Sequence, residues 1–120
     1  MAPGSAQILV IINSLIRQED IRRSIVYWYK KPLGEGEEIR IGPQTMAMPF
    51  EGTIVFVDLA PGANWAHPCL YLLIDSQSLE ARVVEASFPP GIDQSDENYI
   101  PILRYGEKPE HERCHSAFDK

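Results

Sequence analysis

Between Thr53 and Phe88 the chain reads TIVFVDL, HPCLYLLID and ARVVEASF, three runs rich in β-branched and large apolar residues. Turn-forming residues close each one: APGAN after the first, SQSLE after the second and Pro89-Pro90-Gly91 after the third. Short strands joined this closely pair antiparallel, because a parallel pair needs a crossover of a dozen residues or more. The pattern therefore predicts an antiparallel meander with strands at Thr53–Leu59, His67–Asp75 and Ala81–Phe88.

The flanking blocks are less regular. Residues 6 to 31 carry Ile8, Ile12 and Leu15, then Ile21, Ile25 and Trp28, at spacings that suit one face of a helix. Helix is the preferred reading there, with Trp28 and Tyr29 packing it. Its many β-branched residues leave open a strand at 7 to 12 followed by a helix from about Gln18. Pro32 and Gly34 end the block. A loop over 35 to 51 holds a short strand at Glu38–Ile41, a further strand falls in YIPILRY, and Pro109 opens a short carboxy-terminal helix with Glu110 and Glu112 at its positive end. The expectation is an α+β fold: an amino-terminal helical segment packed on a small antiparallel β-sheet, a meander, with a short C-terminal helix, all in a single domain spanning 1–120.

Composition narrows the function classes. At 120 residues, 44% hydrophobic and 23% charged, the chain has the make-up of a soluble domain that folds without disulfides or metal. Its apolar runs fall well short of the ~20 residues of a membrane-spanning helix, and ILVII lacks the basic flank of a secretory signal. A cytoplasmic location is expected. The net charge of −6 and the absence of a basic stripe argue against nucleic acid as a partner. No cofactor is expected, and a homo-oligomer is compatible with the sequence.

All three histidines and both cysteines lie in two stretches, NWAHPC and HERCHSAF. Side chains alternate along a strand. Even positions Leu70, Leu72, Ile74, Val84, Ala86 and Phe88 are apolar, whereas odd positions carry His67, Cys69, Tyr71, Asp75, Glu85 and Ser87. A turn of three or five residues would keep like parity on one side of the sheet, making the odd face the chemical one and bringing Glu85 within reach of His67. A carboxylate on an imidazole fixes its tautomer and orients it as a base. Cys69, two residues from His67, and Cys114, in the first turns of the terminal helix, are rival thiols. The same types could instead hold zinc, with His67, Cys69, Cys114 and His115 as the set. Trp65 is placed either as a lid on the core or as a pocket wall.

The segment EGTIVFVDLAPGANWAHPCLYLLIDSQSLEARVVEASFPP resembles the core of the circularly permuted papain-like hydrolases and acyltransferases, the NlpC-type and lecithin:retinol acyltransferase-like group. In that group a glycine-led strand precedes a histidine opening the next strand, a third strand carries a polar orienter, and a cysteine follows at a helix start. Gly52, His67 with Tyr71, Glu85 and Cys114 occupy those places, while Thr53 stands where the family usually has aspartate. The resemblance implies a thiol hydrolase or acyltransferase acting on an amide, isopeptide or ester bond of a protein, peptide or acyl substrate. Cys114 would be the nucleophile, His67 the base and Glu85 the orienter, with Trp65 and Tyr71 contributing to binding. The other functional classes open to the chain are a non-enzymatic accessory or protein-interaction domain and a zinc-stabilised module.

Overall fold

The computed structural model describes residues 4–41, 44–61, 68–87 and 99–105. The amino-terminal apolar run forms helix α1, Ser5–Leu15. Ile8 and Ile12, one turn apart, are its buried residues. The Gly4 amide donates to Gln7 Oε1 at 2.9 Å, which satisfies one of the donors left open at a helix start. A single turn, α2, follows at Gln18–Ile21.

Beyond it the helical reading fails. Ile25–Tyr29 is a strand, β1, so the Ile21, Ile25, Trp28 spacing does not mark a helix, and the alternative strand at 7 to 12 is replaced by α1. The sequence IVYWY is entirely β-branched and aromatic, and pairing on both sides lets that preference prevail.

Strands β2, Glu38–Ile41, and β3, Gln44–Ala47, form a separate two-stranded sheet. The first matches expectation; the second falls where a loop is expected. The main sheet contains β1, β4 (Gly52–Asp58), β5 (Cys69–Asp75), β6 (Ala81–Ala86) and β7 (Tyr99–Leu103) in the order β6-β5-β4-β1-β7, with every neighbouring pair antiparallel. The meander β4-β5-β6 is as expected, and the chain is a small α+β fold with few helices. The segment after Pro109, expected to be helical, lies outside the described residues. No described helix is long and apolar enough to cross a membrane.

The sheet is covered on both faces. One face packs Val26, Val55, Val57, Leu72 and Ile74 against Ile8, Ile12 and Ile16 of the α1 region. The other packs Phe56, Cys69, Tyr71 and Leu73 against Leu33, Ile39, Ile41 and Met48 from the segment containing the hairpin. Rings run through this second layer, with Phe56 centred 5.0 Å from Tyr71 and 5.8 Å from Tyr27. Trp28 and Tyr29, expected to pack a helix of their own, divide between the two layers as strand neighbours must.

Gly52 fits where little else would. The position of a Cβ there is occupied by the Ile74 carbonyl oxygen, so the close approach of β4 to β5 requires glycine. Next to it, Thr53 has 2% of its surface exposed and joins two strands through its hydroxyl. Its Oγ1 accepts from Trp28 Nε1 at 3.0 Å and donates to the Tyr29 carbonyl at 3.1 Å.

Candidate functional site

The turn between β5 and β6 decides which side chains meet. Asp75 and Glu80 close it, with the Asp75 amide donating to the Glu80 carbonyl at 2.9 Å, so four residues, 76 to 79, lie between them. Asp75 Oδ1 accepts from the amides of Gln77 and Ser78 at 2.8 and 3.3 Å. The Leu79 amide donates to the Asp75 carbonyl at 2.8 Å, and Leu79 itself adopts a φ of 64°. An even turn reverses parity. Cys69 therefore stands opposite Ala86, Leu70 opposite Glu85, and Tyr71 opposite Val84.

This corrects the expectation that odd residues of both strands share a chemical face. Cys69 and Tyr71 point into the layer beneath the hairpin, where they are 2% and 0% exposed. Glu85 is exposed and shares its side of the sheet with Leu70, the α1 side. Both faces of β5 are core faces, and Cys69 serves there as a small apolar group among Phe56, Tyr71 and Leu73. Tyr71, expected at a binding surface, has its ring against Phe56.

His67, Trp65, Cys114 and His115 lie outside the described residues, so only Cys69 of the alternative zinc set is placed. Among the described residues no group of three or more histidine, cysteine, aspartate or glutamate side chains is positioned to hold a metal ion.

Two clefts flank the end of β6, and Glu85, Ala86 and Ser87 line both. One, of about 270 Å³, lies between Val84 of β6 and Ile41, Thr45 and Met46 of the hairpin. The other, of about 630 Å³, is open and adds Leu59, Pro68, Cys69 and Leu70. Glu85 and the residue that follows His67 thus border the same cleft. Sequence reasoning missed the smaller one because β3 itself went unread.

No family model, curated protein or solved structure matches the chain.

Proposed function

We propose that this chain is a protein-interaction domain that takes an extended polypeptide segment along the outer edge of β6. The observation that carries the reading is the position of β6. Among the described residues it ends the main sheet, it is the most exposed of the sheet's strands, and its last residues line two clefts. An edge strand offers a row of main-chain donors and acceptors to an added strand, and clefts beside it select the alternating side chains of that strand. The smaller cleft, with Ile41, Met46, Val84 and Ala86 among its walls, suits an apolar side chain.

Selection from a library of random peptides tests the reading. The expected result is a set of extended peptides with apolar residues at alternate positions, whose binding perturbs the backbone resonances of β6. Failure to enrich any peptide, or binding that leaves β6 unperturbed, would overturn it.

A second reading starts from the larger, open cleft, which Pro68, Cys69 and Glu85 help to line. On this reading the chain is a papain-like thiol hydrolase or acyltransferase. The Cys114 thiol passes its proton to His67, the thiolate adds to an ester or amide carbonyl, and the adduct collapses to a thioester as the alcohol or amine leaves with that proton; water or an acyl acceptor then releases the acyl group. The rate of thiol alkylation against pH, with each cysteine followed by mass spectrometry, separates the two readings. The enzyme reading requires Cys114 to react with an apparent pKa well below about 8.5 and to lose that property in His67→Ala. Ordinary titration of Cys114 would dispose of it, and Cys69, buried as it is, reacts only as the sheet opens.

A further inference from the structure

We infer that the segment added to β6 is the β6 strand of a second copy of this chain, joined across a two-fold axis that passes by Val83. The inference rests on the binding-domain reading and names its partner.

The direction of the β6 main chain follows from the turn. Because the Asp75 amide bonds to the Glu80 carbonyl, the alternation of an antiparallel ladder turns the main-chain groups of Arg82, Val84 and Ala86 toward β5. Those of Ala81, Val83 and Glu85 then point away from the sheet. A two-fold axis perpendicular to the sheet brings two such edges together antiparallel and keeps each face on its own side. Residues paired across the axis must therefore share parity.

Four registers satisfy this condition with three or more residues of each strand overlapping. Centred on Glu85, the pairing sets two carboxylates directly opposite each other, an unfavourable cross-strand pair. Centred on Arg82, the pairing sets two guanidinium groups directly opposite each other, an unfavourable cross-strand pair. Centred on Val84, it leaves only Val83 and Glu85 to exchange hydrogen bonds. Centred on Val83, it pairs Ala81 with Glu85, Val83 with Val83 and Glu85 with Ala81, so every outward main-chain group in the strand finds a partner. Arg82 then faces Val84, and no like charges stand opposite each other.

The side chains favour the same register. Val83 is 44% exposed, an apolar group at a sheet edge, and its symmetry mate covers it from the same face. The contact is one strand long, which implies reversible association at high protein concentration. Each copy carries a net charge of −6, so added salt should strengthen the dimer by screening the mutual repulsion.

Sedimentation equilibrium up to millimolar protein, at low and high salt, tests the inference together with amide hydrogen exchange read residue by residue. Val83→Pro removes an amide that β5 does not use, and Val83→Lys sets two ammonium groups on the axis; circular dichroism checks that both fold. The expected result is a monomer–dimer equilibrium strengthened by salt. The amides of Ala81, Val83 and Glu85 should gain protection as concentration rises, and association should fall about tenfold or more in Val83→Pro. A chain monomeric throughout, or a dimer indifferent to both substitutions, would overturn the inference. A monomer that still binds library peptides at β6 overturns this inference alone; a monomer that binds none overturns the binding-domain reading as well.

Discussion

Replacing Thr53 by valine tests how the sheet is tied together at the start of β4. The two side chains have nearly the same shape, so the perturbation is chemical. Valine cannot accept from Trp28 Nε1 or donate to the Tyr29 carbonyl, the two bonds that the hydroxyl makes at 3.0 and 3.1 Å. An intramolecular hydrogen bond contributes about 1 kcal/mol, and a buried donor left without a partner costs about 1–3 kcal/mol. Trp28 is half-buried, which lets water recover part of the indole bond. The added methyl returns roughly 0.8 kcal/mol at a site where Thr53 is 2% exposed. The net expectation is a loss of about 2 kcal/mol, seen as a fall in melting temperature of about 8 °C in a domain of this size. Thr53→Ser keeps the hydroxyl and loses only a methyl, so it should cost about 1 kcal/mol. Urea unfolding followed by far-ultraviolet circular dichroism measures both. If the valine variant proves as stable as the serine variant, the hydroxyl does not join β4 to β1 as argued.

Gly52→Ala should be more damaging, costing about 3 kcal/mol or more by the same unfolding measurement, because its Cβ meets main chain that cannot rotate away. Leu79→Gly should act in the opposite direction, since Leu79 holds a φ of 64° in a turn; relief of the left-handed strain should raise stability by up to about 1 kcal/mol in the same assay. The hydrogen bond from Arg23 holds the Asp20 carboxyl below the usual carboxylate range, with desolvation opposing it and Arg17 adding to it. A depressed carboxylate stabilises the fold fully above its unfolded value, about 3.9, and that contribution is lost as pH falls through the lower folded value. The gap in melting temperature between wild type and Asp20→Asn should therefore be constant from neutral pH to about pH 5 and close in acid; a gap that widens in acid would reverse the sign.

The meander was legible because TIVFVD, CLYLLID and ARVVEA are dense in strand-forming residues and each is followed by turn signals. The register between β5 and β6 was not. A four-residue turn between Asp75 and Glu80 needs Leu79 in a left-handed conformation, and leucine gives no hint of that in a sequence. The consequence was large, since a change of one residue in the turn exchanges the faces on which Glu85 and Arg82 lie. In Ile25–Tyr29 the composition favoured a strand, but an accidental helical spacing with Ile21 outweighed it. Gln44–Ala47 carried too weak a strand preference to be seen without Glu38–Ile41 beside it.

Histidine and cysteine clustered around β5 suggested chemistry there, yet the place of β5 in the sheet explains Cys69 and Tyr71 without it. A strand paired on both edges and, from Tyr71 to Ile74, buried on both faces has no exposed side to offer there. Any polar or polarisable residue on it must be absorbed into a layer, and Cys69 and Tyr71 are absorbed beneath the hairpin. One strand outward, the cover ends. β6 keeps the alternation of a sheet strand but leaves Arg82, Val83 and Glu85 exposed and its outer main chain unpaired among the described residues. Groups that folding does not satisfy are the ones a partner can satisfy, and here they belong to the strand beside β5.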